Sequence, residues 1–84
     1  TASLFILYLF YNLIMQVNIA LLTVTDTRTI DTDKSGAILV KKIKEKNHNL
    51  VDRKIVKDDK NEIKMILLDW LKSKELDVII TTGG

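Results

Sequence analysis

The sequence predicts an α/β fold: a three-layer αβα arrangement with a parallel sheet, the first half of a doubly wound domain. Three observations lead there. Apolar runs at 17–24, 50–56 and 77–81 alternate with two stretches of helical periodicity. The first run, VNIALLTV, is almost continuously apolar, as in a strand buried on both faces of a sheet. Strands separated by helices run parallel through right-handed crossovers, so the order strand, helix, strand, helix, strand fixes the topology class.

Residues 17–24 read as the first strand and end in a polar turn, Thr25-Asp26-Thr27-Arg28, whose loop continues through Asp31 and Asp33. Ser35 and Gly36 then lead into AILVKKIKEKNH. Leu39, Val40, Ile43 and Asn47 follow helical spacing there, with Lys41, Lys42, Lys44 and Lys46 in water. Acids before this helix and lysines towards its end suit the macrodipole, and Asn47, His48 and Asn49 form the stop. The single histidine, His48, therefore reads as a C-terminal cap rather than a catalytic group. Residues 50–56 alternate and predict an edge strand with one wetter face. Asp59 and Glu62 stand at capping-box spacing. The helix behind them places Ile63, Ile66, Leu67, Trp70 and Leu71 on one stripe, which assigns Trp70 to the core. Residues 77–81 form the third strand and run into Thr82-Gly83-Gly84. With 50–56 at the edge the strand order is 2-1-3. Ligands of such sheets bind beyond the carboxyl ends of the strands, where the order reverses. The segments TDTRT and TTGG converge there.

An 84-residue chain holds one small domain, and 46% hydrophobic with 29% charged residues is globular composition. The net charge of +2 arises from 13 basic and 11 acidic side chains that are intermixed. Without a basic stripe or an aromatic platform, nucleic acid is not an expected partner. The absence of cysteine excludes a disulfide framework, a thiolate zinc site and a cysteine nucleophile, and fits a cytoplasmic protein. No charged residue precedes Asp26, and residues 4–15 are apolar apart from Asn12. Such a stretch approaches bilayer-spanning length. Gln16 and Asn18 interrupt it, however, and neither a basic leader nor a small-residue cleavage site is present. Stable membrane association is not expected. Residues 1–15 are taken as an N-terminal extension, native or not, with a membrane anchor or signal as the alternative and Met15 a candidate natural start, and 16–84 as the domain.

Chemistry concentrates in few places. Thr81, Thr82, Gly83 and Gly84 follow a strand, where a glycine turn can offer backbone N–H groups to a phosphate; an ordinary turn is the alternative. Asp26, with Thr25 beside it, can accept hydrogen bonds from an N–H-rich ring or shape its own loop as an Asx-turn. Ser35 and Gly36 can contact a ligand or simply begin a helix. Asp58 and Asp59 both stand where a helix cap is needed.

VNIALLTVTDTRTIDTDKSG, HNLVDRKIVKDDKNEI and DVIITTGG resemble, in order and spacing, the first half of the MoaB/Mog family of molybdenum cofactor biosynthesis proteins. The resemblance implies a domain that binds molybdopterin and assembles as a homotrimer or hexamer. Active members transfer AMP from ATP to the terminal phosphate of molybdopterin, with Mg²⁺ assisting. It implies Asp58 as the catalytic and Mg²⁺-holding acid, with Asp59 left to cap the helix. It also implies that Thr25, Asp26, Ser35, Thr81, Thr82, Gly83 and Gly84 contact substrate. The family often has proline where this chain has Lys57. Similar domains occur in molybdopterin-metal insertion proteins and CinA-type proteins, so a catalytically silent molybdopterin-binding or assembly subunit is the alternative. Family members carry a further acid in an Arg-Asp segment after a TTGGTG loop, so the 84 residues alone are expected to be inactive.

Overall fold

The computed structural model describes residues 16–83. Residues 1–15, read above as an extension, and Gly84 lie outside the described residues. Five elements follow one another: β1 (Asn18–Val24), α1 (Lys34–Glu45), β2 (Asn49–Val56), α2 (Lys60–Leu71) and β3 (Val78–Gly83). The strands are parallel and ordered β2-β1-β3, as the sequence predicts.

β1 is central because its side chains can be buried on both faces. Ala20, Leu21, Leu22 and Thr23 are all 0% exposed. On one face Ala20 and Leu22 meet Val56 and Trp70, and Ile63, Ile66, Leu67, Leu76 and Ile79 pack around that cluster. This is the α2 face. Each large apolar side chain buried there stabilises the fold by about 1.5–3 kcal/mol. α1 lies against the other face, where its capping residue Asp33 meets Thr23 and Ile43 is buried. The two helices thus sandwich the sheet. Leu71, expected on the buried stripe, is 70% exposed instead, because Trp70 already fills the place beside Ala20 and Leu22.

The ends of the elements differ in detail from the expectation. α1 begins at Lys34 with Asp33 as its cap, rather than at Ser35 and Gly36. Its far end is a Schellman turn. Asn47 takes φ 61°, its N–H bonds the Lys44 carbonyl, and the His48 N–H bonds the Ile43 carbonyl. The His48 ring does not serve the helix; its Nδ1 accepts the Val17 N–H at 3.2 Å. Asp59 caps α2 by accepting the Asn61 and Glu62 N–H groups, but the capping box is only half formed. The Asp59 N–H bonds the Lys57 carbonyl instead of the Glu62 side chain.

β2 carries one extra residue. The β1–β2 register shifts between Ile19 and Ala20, which pair with Leu50 and Asp52, so Val51 bulges out. Asp52 then falls on the α2 face, where it accepts the Trp70 indole N–H at 3.0 Å, and Arg53 falls on the α1 face. No helix among the described residues is long and apolar enough to cross a membrane.

Candidate functional site

The three strands finish level with one another, since Val24 pairs with both Val56 and Gly83. Beyond that line Val24, Thr25, Asp26, Asp58 and Gly83 border an open cleft of about 390 Å³. It lies where the strand order reverses, the position at which open α/β sheets bind ligands. Asp58 also borders a neighbouring groove of about 640 Å³ along α2, lined by Lys60, Ile63, Lys64, Leu67 and Leu68.

Each cleft residue is placed by local chemistry. The Thr25 N–H donates to the Val56 carbonyl at 2.8 Å, extending the β1–β2 ladder by one rung, and Thr25 is only 5% exposed. Its hydroxyl accepts the Thr27 N–H at 3.4 Å and turns the chain away from the sheet. Asp26 is exposed and does not form the Asx-turn that its position allows. Its Oδ1 instead accepts the Asp58 backbone N–H at 3.0 Å, across 32 residues of sequence. The bond from the Asp59 N–H to the Lys57 carbonyl, 2.7 Å, makes Asp58 the apex of a three-residue turn. Asp58 is therefore held at the rim while Asp59 caps α2.

The glycine reading needs correction. Gly83 is the last residue of β3, not part of a turn beyond it, and no described glycine has positive φ. A Cβ at Gly83 would meet only the Val24 carbonyl oxygen, at 4.0 Å. Its small size thus opens space towards the cleft rather than permitting a special conformation. Thr81 and Thr82 pair with Leu22 and Thr23 inside the strand, and Ser35 is exposed in the first turn of α1. None of these three lines the cleft. Gly84 is outside the described residues.

Sequence reasoning missed a polar cluster under the loop that joins the cleft to α1. Asp33 is 1% exposed and accepts the Thr23 hydroxyl at 2.6 Å and the Gly36 N–H at 3.0 Å. Arg53 Nη2 lies 3.4 Å from the Asp33 carboxylate and donates to the Asp33 carbonyl at 3.3 Å. The Arg53 Nε is buried without a partner among the described residues. Asp33 thereby joins β1, β2 and α1 at the far end of the loop that starts at Thr25. The signal available was Asp three residues before Gly36, a capping position; its burial and its partner Arg53 had no sequence signature.

Residues 20–84 match the family described as "Probable molybdopterin binding domain". The chain belongs to that family. The match to this molybdopterin-binding domain family agrees with the MoaB/Mog resemblance, as do the names of similar proteins. Molybdenum cofactor biosynthesis protein B of Bacillus cereus is 41% identical over 69 residues, covering 82% of this chain and 41% of that protein. The protein of the same name from Staphylococcus epidermidis is 46% identical over 71 residues, covering 81% and 40%. The Escherichia coli K12 protein is 36% identical over 70 residues, covering 83% and 41%. A crystal structure of a molybdenum cofactor biosynthesis protein B superposes with a TM-score of 0.74 at 39% identity, covering 79% of this chain and 41% of the other. The chain spans about two-fifths of the length of these relatives.

The described residues fit a Mg²⁺ ion only in a limited way. No group of three or more His, Cys, Asp or Glu side chains among them could form a cage. Mg²⁺, however, is commonly held by one or two carboxylates together with water and substrate phosphates. The Asp58 carboxylate at the cleft rim meets that smaller demand.

Proposed function

We propose that this domain serves molybdenum cofactor biosynthesis by binding molybdopterin at the cleft beyond β1, β2 and β3. In the complete protein it would then transfer AMP from ATP to the molybdopterin phosphate. The supporting observation is the meeting of Thr25, Asp26, Asp58 and Gly83, from three separate segments, at the switch point of a family-matched sheet. In the proposed step an oxygen of the terminal molybdopterin phosphate bonds to the α-phosphorus of ATP. The bond from that phosphorus to the bridging oxygen breaks, and the oxygen leaves with pyrophosphate. Both partners are anions, so the protein's task is positioning and charge neutralisation. Mg²⁺ held by Asp58 would offset the repulsion between them. Thr25 and Asp26 define one wall, and the missing side chain of Gly83 leaves room for substrate at the other. Assembly as a homotrimer or hexamer belongs to the same proposal.

The test is Asp58→Asn in the complete protein. Losing one preorganised electrostatic contact in the transition state costs ~3 kcal/mol, or roughly 100-fold in kcat. Molybdopterin affinity should change little, because the lost charge acts through the metal. An unchanged rate would reduce Asp58 to a turn residue and sink the assignment.

A further inference from the structure

We infer that Asp26 is a positioning residue for Asp58: its carboxylate clasps the Asp58 backbone and sets where that side chain stands in the cleft. The inference rests on the reading of Asp58 as the metal-holding acid. It follows from how few constraints act on Asp58. Behind it, Val56 is buried and its carbonyl is bound by the Thr25 N–H. Ahead of it, the Asp59 carboxylate is committed to the Asn61 and Glu62 N–H groups, and the Asp59 N–H to Lys57. Between these anchors Asp58 is exposed at a turn apex, and the one described bond to its own N–H comes from Asp26 Oδ1 at 3.0 Å.

Asp26 can carry that duty because its own position is fixed. It follows Thr25, which is buried and laddered onto β2. A carboxylate accepting a backbone N–H makes a charge-assisted bond, stronger than a neutral one. The bond also settles a conflict between two like charges at one rim. Asp26 meets the peptide N–H of Asp58 with one oxygen, so the two acidic residues are linked through backbone rather than competing for one cation. The loop after β1 and the turn after β2 are thus joined in one wall of the cleft.

The experiment uses the complete protein with Asp26→Ala, Asp26→Asn, Asp58→Asn and the double variant Asp26→Ala/Asp58→Asn. Two readouts are taken: amide exchange at residue 58 by NMR, and kcat and KM for AMP transfer. Asp26→Ala should accelerate exchange at residue 58 and lower kcat roughly tenfold or more, since a misplacement of ~1 Å can cost on the order of 100-fold. KM for molybdopterin should stay within about twofold, as expected when only the transition state is affected. Asp26→Asn keeps an oxygen acceptor, so it should preserve the slow exchange and recover most of the lost kcat. In the Asp58→Asn background, Asp26→Ala should cost nothing further, because the residue it positions is already disabled. If Ala and Asn raise KM alike, or if the double variant's losses add, Asp26 is a direct substrate contact and the clasp is overturned. Should the unaltered protein transfer no AMP, the adenylyl-transfer reading falls, and amide exchange alone decides the clasp.

Discussion

Burial alone would push the Asp33 carboxyl up towards its neutral form. Hydrogen bonds from the Thr23 hydroxyl, the Gly36 N–H and Arg53, together with the Arg53 charge, outweigh burial and hold it below the usual carboxylate range. A carboxyl depressed in the folded state contributes stability that is complete above its unfolded value and lost as pH falls through the folded one. Asp33→Ala should therefore destabilise the domain by ~3–5 kcal/mol near neutral pH, the usual cost of stranding one partner of a buried pair. The difference from the unaltered protein should shrink as the pH drops below about 4, where the unfolded chain takes up the proton first, and its charge-dependent part should be gone once the folded carboxyl, held lower, is protonated too. Denaturant titrations across pH measure this, and a gap constant into acid would show that Asp33 acts without its charge. Gly36 makes a companion case. Replacing glycine inside a helix with alanine ordinarily gains ~1 kcal/mol. Here the new Cβ would collide with the Asp33 carboxylate and come within 2.9 Å of Arg53 Nη2. Gly36→Ala is thus expected to lose ~1–3 kcal/mol by overcrowding, and a stabilised variant would contradict the packing. Neither effect was legible beforehand. Asp33 read as loop, and its partner Arg53 lies 20 residues away on a strand whose facing depends on a bulge.

Among the elements, order and type were legible because each local signal agreed with the next. The near-continuous apolar run became the central strand, the Lys-rich amphipathic stretch became α1, and Asp59 became a cap. β2 was read correctly as the edge, but its alternation is imperfect. Asp52, Arg53 and Lys54 are three polar residues in succession, and which face each one takes depends on Val51 being set aside. The third strand proved longer than expected, since nothing in TTG signals that pairing with Thr23 and Val24 continues. At the candidate site, the sequence located the crevice and Asp58 at its rim, while the Asp26–Asp58 bond depends on tertiary placement. One prediction belongs to this scale. Asp59→Ala should cost ~1 kcal/mol of stability, as loss of a helix cap does, and leave the kcat of AMP transfer near that of the unaltered protein. Thermal unfolding and rates measured together separate it from Asp58→Asn, which should show the reverse pattern. A large loss of kcat with Asp59→Ala would mean that the two neighbouring acids had been assigned the wrong way round.

For the molecule as a whole, much apolar surface is left uncovered. Met65, Leu68 and Leu71 are 71%, 48% and 70% exposed along α2, and Val78 is 39% exposed on the outer strand β3. An edge strand and an apolar helix face of this kind promote association. Residues 16–84 prepared alone should therefore sediment as concentration-dependent assemblies and unfold with a shallow denaturant slope. A soluble monomer with a steep transition would show that these faces need no cover. The extra residue in β2 has a further consequence, for how this chain can change in length. Side chains alternate with period two, so one step along a strand exchanges its faces. Deleting Val51 would only remove the bulge, since Leu50 and Asp52 would then pair with Ile19 and Ala20 in a regular ladder. A deletion between Arg53 and Val56 has no such outlet: either Asp58 moves one place relative to Asp26, or Val51 enters the ladder and Asp52 and Arg53 exchange faces. An insertion in the exposed loop between Asp26 and Asp33 disturbs none of these pairings. The domain can therefore tolerate a gain of sequence ahead of α1 and the loss of Val51, but the count of residues from Asp52 to Asp58 is effectively frozen.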